Sequence, residues 1–374
     1  MTSLTSARHP RRWAAVSASL AALLFATACA NGSGSEDSTD SPSPTTTATQ
    51  EQGQDNGQNG EQEGETSGDE QSYSAAAVGT GTGDVEALSS LSLEIDDAGV
   101  ASIGSDTPVE ADEVSSRVLK AGEGELIQDG DIVPISTVAA DPETGEKQNQ
   151  NFSTGAEAIP VDQNLAQRNP VLHEMLRTSA PGAEVAFYIP SQTSPAADGS
   201  ENTVTLPAQM LVFRVGEPLA LHAEGTELPE ADRNPALPEV TVDADTQEPS
   251  IGTPDGDAPE ELVVETLIEG EGDVVGVEDR VTVQYTGVTW SEGTEFDSSW
   301  TRGEPAQFAL NQVIEGWTEG LAGQKEGSRV LLAIPAELAY GEQGSPPNIG
   351  PNEPLVFVVD ILHTQRPMEP SAAE

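Results

Sequence analysis

The sequence predicts an α+β protein made of two related units, each a curved antiparallel sheet packed on a short helix, with disordered acidic linkers. Three observations predict it. Val281, Val283 and Tyr285 alternate with Thr282, Gln284 and Thr286, and Val330, Leu332 and Ile334 repeat the period of two, as strands with one buried face do. Ile314, Trp317 and Leu321 fall on one face of a helix. The third observation is an internal echo: Val118 to Gly124 parallels Thr266 to Gly272, Pro181 to Pro190 parallels Glu326 to Pro335, and Leu211-Val212-Phe213 matches Leu355-Val356-Phe357. A duplicated domain explains all three matches.

The chain opens on Arg8, Arg11 and Arg12, followed by the uncharged run Ala14 to Ala28. That run is short for a membrane span and suits a signal-peptide core, so residues 1–28 are expected to be a signal peptide directing export. Small residues stand directly before Cys29, the one cysteine of the 374 residues. The pattern resembles a bacterial lipobox, in which the sulfur is lipidated and becomes the mature N-terminus. This implies a lipoprotein anchored to the outer face of the bacterial cell membrane. A lone cysteine also means that no disulfide forms within the chain.

Residues 29–83 are Gly, Ser, Thr, Gln, Glu, Asp and Pro with almost no large apolar side chain, which predicts a disordered acidic tether. Residues 84–222 form the first unit. Residues 223–260, rich in Pro and acids, read as a linker; residues 261–366 form the second unit, and 367–374 a tail. Within the second unit, Leu355 to Leu362 is apolar on nearly both faces, as in a central strand, and Glu342 to Pro354 reads as a loop. Gly316 and Gly320 lower the intrinsic helicity around Trp317, so that helix is short and held by packing.

Only 4% of the chain is aromatic, yet the second unit holds Tyr285, Phe296, Phe308, Trp317, Tyr340 and Phe357. Such a concentration predicts an apolar cup, with Asp297 as its polar tooth. In order and spacing, Val281 to Gly287, Phe296-Asp297-Ser298-Ser299, Val313-Ile314-Glu315-Gly316-Trp317 and Ala339-Tyr340-Gly341 resemble the FKBP-type peptidyl-prolyl cis-trans isomerases. The resemblance runs from about Glu261 to Arg366 and implies that both units are FKBP-like. It implies an activity needing no cofactor and no metal, with proline-containing exported polypeptides as substrates and a macrolide as a further ligand.

The resemblance also assigns parts. Trp317 is implied as the floor under the prolyl ring, Tyr285, Phe296, Val313, Ile314 and Phe357 as walls, and Phe308 as the side that closes. Tyr340 is implied to donate a hydrogen bond to a substrate carbonyl, Asp297 to orient polar groups at the rim, and Ile349 to cover the site. Ala306, Asn311, Ser345, Asn348 and Gly350 depart from the family pattern, and they weigh against macrolide affinity more than against isomerase activity. The first unit has lost this set. Aligned on the shared segments, Ser136 stands for Tyr285, Leu172 for Trp317 and Pro195 for Tyr340, and no Phe-Asp pair lies near Gly145, so that unit is read as degenerate.

Other chemistry finds little footing. With 64 acidic against 15 basic residues and a formal charge of -49, nothing neutralises the phosphates of a nucleic acid. His9, His173, His222 and His363 have no metal-ligand spacing, the 79–83 glycines lack the lysine of a phosphate loop, and the acids of 243–257 lack EF-hand spacing. The rival to an isomerase is a non-catalytic protein or holdase that grips Pro-containing segments in the same cup. A surface structural protein is a third reading, against which retention of the cup argues.

Overall fold

The structure is a computed structural model and describes residues 73–195, 203–229 and 233–367. The expected signal peptide, Cys29, the tether up to residue 72 and all of the tail but Pro367 lie outside the described residues.

The first half opens with a hairpin, β1 (Ser92–Ile95) and β2 (Ala101–Gly104). It continues through β3 (Ser115–Lys120), β4 (Ile132–Ala140), β5 (Lys147–Gln150) and β6 (Glu157–Pro160). Two short helices follow, Gln163–Arg168 and Pro170–Arg177, each started by a side chain that accepts from a backbone N–H, Asp162 from Leu165 and Asn169 from Leu172. Then come β7 (Glu184–Ile189), the hairpin of β8 (Gln192–Pro195) and β9 (Thr203–Leu206), and β10 (Gln209–Val215). The strand order is β3-β7-β10-β4-β5, with β6 also paired to β4.

The second half holds β11 (Thr226–Glu227), the hairpin of β12 (Val240–Val242) and β13 (Pro249–Ile251), β14 (Val263–Glu269), β15 (Arg280–Thr289) and β16 (Glu295–Ser298). After a single helical turn, Ser299–Arg302, come β17 (Ala306–Ala309), the helix Glu315–Leu321, β18 (Arg329–Ile334) and β19 (Leu355–Gln365). The order is β11-β14-β18-β19-β15-β16, with β17 also paired to β15. From β14 on, this repeats the main sheet of the first half strand for strand, and every pairing in both sheets is antiparallel.

Ladder register corrects the alignment read from sequence. Gly182 and Gly327, at φ +80 and +89, donate their N–H groups to Val215 and Ile361. Phe213 faces Val185 as Val359 faces Val330, so Leu211-Val212-Phe213 corresponds to Phe357-Val358-Val359 and not to Leu355-Val356-Phe357. Thr137, opposite Phe213, then stands where Tyr285 stands opposite Val359, in place of the expected Ser136. A shared detail supports this: Thr137 N–H donates to the Asn151 side chain, and Tyr285 N–H to the Ser299 hydroxyl. A two-residue slip keeps every side chain on its face, which is why apolar matching alone did not expose it.

Two boundaries also differ from expectation. Residues 76–84 are no tether: the backbones of Gly79 and Thr82 bond across to Val118 and Ser116, which ties this glycine-rich run along β3. Residues 237–258, part of the stretch 223–260 expected as a disordered linker, cover the outer face of the second sheet. Leu237, Val240, Ile251 and Ala258 pack there on Leu267, Val288, Trp290, Leu331, Val356 and Val358, and Trp290 Nε1 donates to Gly256 O. The period-two strands are therefore buried on both faces, β15 and β18 alike. The first sheet is covered in the same way, with Leu88, Leu91, Ala101, Ile103 and Val109 on its outer face.

Candidate active site

The inner face of the second sheet carries the cup. Tyr285 on β15, Phe357 on β19 and Trp317 on its helix join one buried cluster with Val281, Val283, Leu310, Leu321, Leu332, Ile334 and Ile349, and Phe308 on β17 packs against it, partly buried. Phe296, Val313, Ile314, Leu338 and Ala339 lie against it, partly buried. Trp317 stands at the centre, with Tyr285, Phe308 and Phe357 edge-on to it at ring-centroid distances of 5.2, 5.5 and 5.3 Å. Phe296 meets Phe357 edge-on at 5.4 Å. Edge-to-face contacts leave ring faces free to line a concave surface.

The helix reaches this depth because two of its residues have no side chain. A Cβ on Gly316 would fall 2.4 Å from Ile334 Cγ2, and one on Gly320 2.6 Å from Leu332 Cδ2. Gly287 makes room in the same way, since a Cβ there would fall 2.7 Å from both Phe296 and Phe357.

The rim is polar at one place. The Tyr285 hydroxyl donates to Asp297 Oδ2 at 2.5 Å, Arg302 bonds the other carboxylate oxygen, and Arg302 Nη2 donates to the Tyr285 oxygen at 3.0 Å. Burial, and next the hydrogen bond to Asp297, push the Tyr285 phenol up to about 12. Arg302 also lies 5.3 Å over the Tyr285 ring. Tyr340 stands at the mouth, 40% exposed, with its phenol raised by burial and then by the Asp297 charge. The 345–349 loop closes over this edge: Ser345 and Ile349 exchange backbone hydrogen bonds, and the Asn348 side-chain amide donates to Phe296 O at 3.4 Å. Ile349 beneath it is 4% exposed.

The structure thus brings together every aromatic and aliphatic residue the sequence nominated, with Asp297 and Tyr340 at the rim. Sequence reading missed Arg302. Its signal was available, since Arg302 is the one basic residue between Arg280 and Lys325 and lies five positions after Asp297. In the first sheet the matching positions are Thr137 for Tyr285, Leu172 for Trp317, Ile159 for Phe308, Leu211 for Phe357 and Asn149 for Asp297. Ile159, Leu172 and Leu211 fill that space as ordinary core.

Residues 272–362 match the family model of the FKBP-type peptidyl-prolyl cis-trans isomerases. The FK506-binding protein of Streptomyces anulatus is 44% identical over 119 residues, which cover 31% of this chain and 96% of that one. The probable FK506-binding protein of Corynebacterium glutamicum is 46% identical over 116 residues, covering 31% of this chain and 98% of that one. This chain belongs to the FKBP family. The crystal structure of FkpA from Escherichia coli is 47% identical, with a TM-score of 0.27, over 28% of this chain and 48% of that one.

FKBP-type isomerases turn the peptide bond before proline, so this chain is a peptidyl-prolyl cis-trans isomerase acting on proline-containing substrates. Rotation about that bond faces a barrier of about 20 kcal/mol. The twisted transition state loses amide resonance, and its carbonyl is less dipolar than in the planar ground state. An apolar cup therefore binds the twisted form better than the planar one, with no nucleophile and no proton transfer. A rate gain on the order of 10⁵ requires about 7 kcal/mol of such preference. Among the described residues no group of three or more His, Cys, Asp or Glu side chains converges.

Proposed function

We propose that the cup around Trp317 is the catalytic site of an exported, lipid-anchored isomerase that works on newly exported chains at the outer face of a bacterial membrane. The observation that carries the site is the ring geometry: three aromatic edges meet Trp317 within 5.5 Å. Trp317 supports the prolyl ring, Tyr340 donates to a substrate carbonyl, and the Asp297–Arg302 pair holds the Tyr285 wall upright. The first half is a degenerate FKBP-like unit without activity of its own, a reading supported by the repeated strand order and by Thr137, Leu172 and Leu211 at the cup positions. The location rests on the basic start, the apolar run and Cys29.

Two of the relatives are named FK506-binding proteins, and a macrolide would seat in the same cup. Ala306, Asn348 and Gly350 make that binding weaker than the family's residue pattern would give.

A protease-coupled assay on X-Pro peptides tests the site. Tyr340→Phe removes one hydrogen bond and should cost about 1–2 kcal/mol, a five- to thirtyfold loss in kcat/KM. Full activity in that variant would remove Tyr340 from the mechanism. Membrane partition of Cys29→Ala tests the anchor: release from the membrane is expected, and unchanged partition with an unchanged N-terminal mass would contradict lipidation.

A further inference from the structure

One side of the cup is weakly held within its own sheet. β17 carries Phe308 against Trp317, yet it has four residues and pairs with β15 alone among the described strands. Successive strand residues point to opposite sides, so Gln307 points away from the cup. There its Nε2 donates to Ala158 O at 2.8 Å. Ala158 belongs to β6, the strand of the first sheet that corresponds to β17.

Two neighbouring bonds run between the same halves. His363 Nε2 donates to Ala156 O and Arg366 N–H to Thr154 O, both at 2.8 Å. The carbonyls of 154, 156 and 158 thus form one extended edge that meets the outer side of β17 and the end of β19. Gly155 permits this closeness, since it holds φ +98 and a Cβ there would lie 3.1 Å from Thr364 O.

We propose that this edge positions Phe308. The first sheet, which lacks a cup, serves the second as the outer brace of β17, and Gln307 is the positioning residue through which it acts. The inference rests on the Trp317 cup being the site. A wall residue touches the prolyl ring in planar and twisted forms alike, so loosening it weakens binding of both and raises KM more than it lowers kcat.

The test uses the full chain and the variants Gln307→Ala and Gln307→Glu, with kcat and KM measured on X-Pro peptides from pH 4.5 to 8, and urea unfolding midpoints alongside. Gln307→Ala should raise KM by about three- to tenfold with kcat held within about twofold and the midpoint unchanged. Gln307→Glu should do the same near neutrality, where a carboxylate faces a carbonyl, and should recover partway towards wild-type KM by pH 4.5, as an acid with a pKa of about 4.3 begins to protonate and become a donor. That recovery is a signature that loss of bulk or packing would not produce. Wild-type kcat and KM in both variants at every pH would overturn the inference while leaving the cup as the site. A parallel fall of kcat and the unfolding midpoint, with no recovery at low pH, would overturn it too, in favour of a purely structural contact. Loss of the site reading itself would show instead in Trp317 variants.

Discussion

At the mouth of the cup one carboxylate holds two neighbours: Asp297 accepts from Tyr285 and pairs with Arg302. With the Tyr285 phenol pushed up to about 12 and that of Tyr340 raised above its ordinary value, both stay protonated through neutrality. The expected consequence is a kcat that is flat between pH 6 and 8, and a bell-shaped profile would show that proton transfer takes part after all. A second carboxylate acts at a distance from the site. Asp360 on β19 is buried and meets Arg329 on β18 through two bonds, 2.6 and 2.7 Å, while its Oδ2 also accepts from Ala223 N–H and Arg329 donates to Gln247 O. Arg329→Leu strands the buried Asp360 charge and should cost about 3–5 kcal/mol in urea unfolding. A loss under 1 kcal/mol would mean that the pair is not shielded from water.

The helix Glu315–Leu321 shows what the sequence disclosed about an element and what it hid. Ile314, Trp317 and Leu321 announced its buried face, while Gly316 and Gly320 looked like simple weakness. Their reason is close approach to Ile334 and Leu332, a relation between distant parts of the chain that no local pattern records. Gly316→Ala adds about 1 kcal/mol of helix propensity, but it overpacks the contact with Ile334 and should cost about 1–3 kcal/mol net. Stabilisation on thermal unfolding would contradict that packing. The strands were legible through their alternation. Burial of their second face was not, because its cover, residues 237–258, supplies only a few apolar side chains, Leu237, Val240, Ile251 and Ala258, spaced among prolines and acids. Composition averaged over such a stretch reads as linker, whereas a few anchors suffice once a sheet offers Trp290 and Val356 to meet them.

Across the whole molecule the two sheets share one order of strands, and only the second keeps the aromatic set. They meet through residues 154–158, and His363 is a titratable group at that contact. Burial would lower its pKa, but the bond and charge of Glu326, the Ala156 carbonyl and the charge of Asp273 outweigh it and leave the imidazole raised above 6.5. Nε2 donates to Ala156 O and Nδ1 lies 3.2 Å from the Glu326 carboxylate, so the protonated ring suits the contact. The stabilisation is therefore fully present below about pH 6.5 and lost as pH rises through the higher folded value. The wild-type unfolding midpoint should fall over that interval more than that of His363→Gln, and equal slopes would remove His363 from the contact. The cup remains the central claim, and turnover in Trp317→Leu tests it most directly. In the full chain, with folding verified by circular dichroism, kcat/KM on X-Pro peptides should fall about tenfold or more; wild-type turnover in a folded Trp317→Leu protein would show that isomerisation takes place elsewhere.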